Sequence, residues 1–260
     1  MKAGNRFFKR LGAAALAAGL IVGALALNVQ PASAAKKFKV ADKKYEKSYA
    51  LENGTVFYEL TYAYPVITDK SDAAKKINSA LTSQRKNWVK EAVGAEPTYR
   101  EEMESYLKDF PNDDRVWKYS DEVTYEVTNN DGKYFSVLMS GYIYTGGAHG
   151  MPYRICATFD AKTGEKLSAA KILGTTKSKL NAKVKKLYLK KLEKEGDEAG
   201  FYGDDTEAGR TAKDVLEEGL KTLNFNSSFY MKKGKLVFYV DPYALGPYAA
   251  GFIEVTTGVK

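Results

Sequence analysis

The strongest constraint on the fold is a period of two. Trp117, Tyr119, Val123, Tyr125 and Val127 alternate with Lys118, Ser120, Glu122, Thr124, Glu126 and Thr128. Successive side chains of a strand point to opposite faces, so this pattern predicts a half-buried antiparallel strand. Asn129-Asn130-Asp131-Gly132 turns the chain and Tyr134 to Tyr144 returns. On the returning strand Phe135, Val137, Met139 and Ile143 share the core face. Tyr134, Ser136, Leu138, Ser140, Tyr142 and Tyr144 share the other, which is neither properly core nor properly solvent. A covering helix is the expected explanation, and a ligand surface the alternative.

Other segments carry their own periods. Phe38 to Pro65 reads as two strands around Glu52-Asn53-Gly54, with Pro65 ending the second by withholding a ladder donor. Ser71 or Asp72 caps a helix to about Val93, with Ile77, Leu81, Trp88 and Ala92 on one face and Gly94 as its stop. A weaker helical piece lies between Pro97 and Pro111. After a glycine-rich turn, Tyr153 to Phe159 is a strand and Asp160 to Gly164 a tight turn. Thr175 or Thr176 opens a helix with Leu180, Val184, Leu187, Tyr188 and Leu192 as its stripe; its lysine-rich opposite face reads as a solvated surface. Residues 195–210 read as an acidic surface loop without the ligand order of a calcium site. A short helix around Val215, Leu216 and Leu220 precedes strands at 229–231, 235–240 and 252–255. The expected class is α+β, antiparallel sheets with helices packed on one face, in two tandem halves. The boundaries expected are 1–34 for a signal peptide, 35–145 for an N-terminal domain and 146–260 for a C-terminal one.

The signal peptide rests on Lys2, Arg6, Lys9 and Arg10, the uncharged run Leu11 to Leu27, and the small residues Ala32-Ser33-Ala34. Its removal takes the formal charge from +8 to +4 and leaves no expected membrane span. That mild balance does not point to nucleic acid. Cys156 is the only cysteine, so no intrachain disulfide can form and stability must come from packing.

The segment Tyr142-Ile143-Tyr144-Thr145-Gly146-Gly147-Ala148-His149-Gly150-Met151-Pro152-Tyr153 carries the only histidine. Its glycines describe a backbone with unusual dihedrals or one that something approaches closely. Catalysis by His149 would need a nucleophile and an orienting acid, and no Gly-x-Ser-x-Gly elbow exists. Ser83-Gln84-Arg85-Lys86 matches Ser-x-x-Lys, but within a helix. One histidine and one cysteine cannot supply the usual zinc ligands, and the glycine spacing is not that of a phosphate loop. No metal or cofactor is expected, and His149 is expected to bond the turn's own backbone. Binding asks for less. Tyr142, Tyr144, Thr145, Gly146, Gly147, His149 and Tyr153, with Tyr243 and Tyr248 from a second glycine-proline segment, form the candidate ligand-binding set.

Tyr144-Thr145-Gly146-Gly147-Ala148-His149-Gly150 resembles the junction of a tandem pair of domains of unknown function in secreted bacterial proteins. Asp241-Pro242-Tyr243 and Pro247-Tyr248-Ala249-Ala250-Gly251 resemble the closing motif of the second domain. Tyr64-Pro65-Val66-Ile67 and Lys76-Ile77-Asn78 resemble features of the first. The tandem is that of RsiV-like ectodomains, which belong to lysozyme-sensing anti-sigma factors; the first domain is also similar to the N-terminal domain of PdaC-like peptidoglycan deacetylases. The resemblance implies an extracytoplasmic binding protein whose ligand is lysozyme or peptidoglycan glycan. The short stretch before the apolar run implies that no sigma factor is a partner. A cell-wall hydrolase or deacetylase-like enzyme using His149, and a purely structural envelope module, stand as alternatives.

Overall fold

The computed structural model describes residues 37–111 and 117–259, and the expected signal peptide lies outside them. Among the described residues nine strands form two sheets. The first runs in the order β1 (Val40–Ala50), β2 (Val56–Ile67), β3 (Tyr119–Asn130), β4 (Tyr134–Tyr144), β5 (Met151–Asp160), β6 (Lys166–Leu167). The second is β7 (Phe229–Lys232), β8 (Lys235–Val240), β9 (Ile253–Gly258). The α+β class and its two-part build are as the periods predict. Both Asn-Gly-type turns close as expected, with Gly54 at φ 85° and Gly132 at φ 84°.

One pairing breaks the antiparallel rule. Helix α1 (Asp72–Asp109) carries the chain from β2 to β3, so these two strands run parallel, over Tyr58–Tyr62 and Tyr119–Val123. Past Tyr62 the β3 side of β2 has no ladder. Pro65 therefore does not end the strand, which continues to Ile67 paired with β1 alone. β1 curls over the far end of β3: the Asn130 side chain bonds both the N–H and the carbonyl of Phe38, and the Tyr125 hydroxyl donates to Asp42. Phe38 then meets Phe135 edge to face at 5.6 Å.

The expected stop at Gly94 does not occur. Ser71 caps α1 through the Ala74 N–H, and the helix runs unbroken through Gly94 and Pro97. Proline in a helix interior costs about 3 kcal/mol. Burial on both sides of it outweighs that cost, because Ile77, Leu81 and Ala92 before it and Met103 after it enter one core with Phe57, Leu60, Tyr62, Phe135 and Phe159.

The ambiguous face of β4 is covered by the second sheet, and this replaces the expected helix. Leu138 and Cys156 on the first sheet pack against Tyr230, Val237 and Tyr239 on the second. Alternate residues of the same strands, Phe229, Met231, Leu236, Phe238 and Val240, face the other way. They meet Leu180, Val184 and Tyr188 of α3 (Lys177–Glu195) and Leu216 and Leu220 of α4 (Ala212–Lys221), beyond the one-turn α2 (Ala169–Ile172). The order is thus helix, sheet, sheet, helices. Thr176 and Thr211 cap α3 and α4 through the N–H groups of Lys179 and Asp214. Residues 195–210 are more ordered than a bare loop, with a 3-10 turn at Gly196–Ala199 and a bridge between Asp205 and Arg210.

A polar tie crosses the sheet interface. The fully buried Ser136 hydroxyl accepts the Met231 N–H from β7 at 3.0 Å and shares a 2.9 Å bond with Thr158. Ser136→Ala strands two buried polar groups, so chemical denaturation should show a loss of about 1–3 kcal/mol. A change below a few tenths would mean that both groups find other partners.

Candidate functional site

The glycine turn works as its composition demands. Gly146 and Gly147 have φ of 85° and 87°, in the left-handed region. Gly150 is needed for another reason: a Cβ there would lie 2.5 Å from the Ile143 carbonyl and 2.6 Å from the Tyr142 ring. Tyr144 closes the turn by donating to the Gly147 carbonyl at 2.9 Å.

Three candidate side chains converge on Gly150. The Tyr142 hydroxyl accepts its N–H at 2.7 Å, and the Tyr248 hydroxyl donates to its carbonyl at 3.0 Å. His149 Nδ1 lies 2.9 Å from the same carbonyl. A carbonyl only accepts, so this contact places the proton on Nδ1 and leaves Nε2 as the open nitrogen. The imidazole stacks on the Tyr248 ring at 4.0 Å and 25°, and Tyr243 follows at 5.8 Å from Tyr248. His149, Tyr142 and Tyr243 are exposed. No carboxylate or aliphatic hydroxyl bonds His149 among the described residues.

Tyr243 is held outward against its own preference. The Ala244 N–H bonds the Asp241 carbonyl at 3.1 Å, with Pro242 at the second position of the turn and Tyr243 at the third with φ 67°. That position suits glycine or asparagine, and a tyrosine there costs of the order of 1 kcal/mol. Local strain of this kind gathers at functional surfaces.

The remaining candidates sit apart. Thr145 is exposed and its side chain has no bond among the described residues. Gly146 lies over the Trp117 indole, with its hypothetical Cβ 3.3 Å from Nε1. Tyr153 turns inward across β4, where a Cβ on Gly141 would fall 2.1 Å from its Cζ. Its hydroxyl donates to Asp121 Oδ1 at 2.9 Å, and the Tyr62 hydroxyl donates to Oδ2 at 2.6 Å. Asp121 is 5% exposed. Burial pushes its carboxyl up to about 6, and the two phenols pull the other way. The alternation in β3 contained the signal for this acid, since Asp121 stands in the apolar phase between Tyr119 and Val123. Its partners, on β2 and β5, carry no mark in sequence.

Among the described residues no group of histidine, cysteine and carboxylates is placed to hold a metal ion, and no helix is long and apolar enough to cross a membrane.

Two family models match the chain. Residues 51–152 match the one described as Deacetylase PdaC, and residues 173–257 match the protein of unknown function family DUF3298. Two crystal structures are similar in fold. A DUF3298 family member from Bacteroides fragilis NCTC 9343 has 20% identity and a TM-score of 0.60, over 87% of this chain and 92% of that one. A DUF3298 family protein from Pseudomonas aeruginosa PAO1 has 14% identity and a TM-score of 0.57, over 86% and 91%. No protein of curated function matches.

Proposed function

For a chain that carries a PdaC-like domain followed by a DUF3298 domain, we propose an extracytoplasmic protein that binds peptidoglycan glycan through the aromatic platform around Gly150. The observation that supports it is the His149–Tyr248 stack, tied to the Gly150 carbonyl through both side chains, with Tyr243 tilted beside it and His149 and Tyr243 open to solvent. Aromatic rings held in place suit the apolar faces of sugars, and an imidazole with one open nitrogen adds a hydrogen-bond partner. The family model named for a deacetylase and the RsiV-like motifs both support an envelope ligand. Lysozyme, the ligand of RsiV-like sensors, is the second reading, favoured by the place of Tyr243 and Tyr248 inside the DUF3298 match.

Purified residues 34–260, which form one compact unit, should be retained by insoluble peptidoglycan. Tyr248→Ala should lower that retention about tenfold or more, as expected for a central aromatic anchor. Tyr243→Gly relieves the left-handed tyrosine, so it should fold at least as stably while binding less. Retention by immobilised lysozyme alone would favour the second reading. Capture by neither, or full capture by the Tyr248 variant, would remove the platform from the account.

A further inference from the structure

We propose a second ligand site in the N-terminal half, between the edge strand β1 and helix α1, for a sugar unit bearing a negative substituent in an acidic polysaccharide. The groove has a volume of about 380 Å³ and is lined by Tyr45, Arg85, Lys86, Val89, Lys90 and Val93. It does not depend on the platform at Gly150 and shares no residue with it.

Its charges are uncompensated. Arg85, Lys86 and Lys90 enter no ion pair or hydrogen bond among the described residues, whereas eleven cations elsewhere form ion pairs and Lys185 donates to the Lys221 carbonyl. Lys86 and Lys90 stand four apart on one helix, a spacing at which like charges oppose each other. The Arg85 guanidinium lies 4.1 Å from the centre of the Tyr64 ring, and its Nε is enclosed without an acceptor. β1 adds to the field rather than cancelling it. Lys43 and Lys47 share the face of Tyr45 by the period of two, while Glu46 is off that face and already pairs with Lys44. Glu96, the carboxylate that acts on Lys47, is itself held by Arg100.

The remaining walls suit a ring. Val89 and Val93 supply an apolar surface and Tyr45, stacked on Tyr62 at 6.1 Å, an aromatic one. A pyranose could lie on these while its carboxylate or phosphate meets Arg85, Lys86 and Lys90 as a charge-assisted contact. A bare anion would leave the apolar walls unused, and a neutral sugar would leave the cations unpaired.

Isotope-labelled residues 34–260 should be titrated with trigalacturonate, maltotriose, inorganic phosphate and phosphatidylinositol vesicles. The acidic trisaccharide is expected to shift Tyr45, Val89 and Val93, with affinity falling as salt rises. The Lys86→Ala, Lys90→Ala double variant removes two exposed cations and a repulsive pair, so it should fold normally and bind about tenfold more weakly. Tyr248→Ala should leave this binding unchanged, which separates its failure from that of the platform. Equal binding of maltotriose or of phosphate, capture by vesicles alone, or no loss in the double variant would overturn the proposal.

Discussion

Gly141→Ala is expected to cost about 3 kcal/mol of folding stability. The methyl group would fall 2.1 Å from Tyr153 Cζ, 2.3 Å from Cε1 and 2.5 Å from Cε2, at the hydroxyl end of the ring. Gly141 pairs with Tyr153 on one side and Val123 on the other, so the phenol crosses β4 in the gap left by a missing side chain. A ring forced out of that gap loses its burial and its bond to Asp121. Urea denaturation of a double-mutant cycle gives a direct check. In a Tyr153→Ala background the same alanine should cost about 1 kcal/mol, leaving a coupling of about 2 kcal/mol. Additive losses would show that the crossing ring is not what the alanine disturbs.

Asp121→Asn should remove a pH-dependent loss of stability of about 3 kcal/mol. The folded carboxyl titrates near about 6 against an ordinary value of 3.8. The folded chain therefore holds this proton more tightly than the unfolded chain does. Its contribution is present at low pH and is lost as pH rises from about 4 through about 6. The surface carboxylates Asp72, Asp205, Asp214, Glu195 and Glu218 are shifted down by cationic or hydroxyl partners and act in the opposite sense. Comparing the two proteins cancels them. Thermal melts at about pH 4 and about pH 7 should show the gap between variant and parent moving in favour of the variant at the higher pH. A constant gap would mean that Asp121 titrates alike in both states.

The periods written in single segments were legible. β3 and β4 sit where the alternation puts them, and Leu180, Val184 and Tyr188 of α3 form the buried stripe that helical spacing predicts. Punctuation residues misled where tertiary burial overrode them. Gly94 and Pro97 mark a local preference for ending a helix, but Met103 and the half-buried Tyr99 and Leu107 lie beyond them and belong to the same core. Likewise Pro65 reads as a strand end only if both edges of β2 are paired. What covers β4 could not be read from β4, because an apolar stripe records that something packs on it and not whether that is a helix or a sheet. At the candidate site, the conformations of Gly146 and Gly147 followed from composition. The convergence of Tyr142, His149 and Tyr248 on one peptide did not, since Gly150 and Tyr248 are 98 residues apart.

The middle position of the second sheet has a consequence for how such proteins can be recombined. With apolar side chains on both surfaces of β7 and β8, the C-terminal module comes with a built-in requirement for a neighbour. Grafted onto an unrelated fusion partner it would expose Tyr230, Val237 and Tyr239 as a sticky plane, so gene rearrangements that keep it must also carry, or supply afresh, a strand surface shaped like that of β4 and β5.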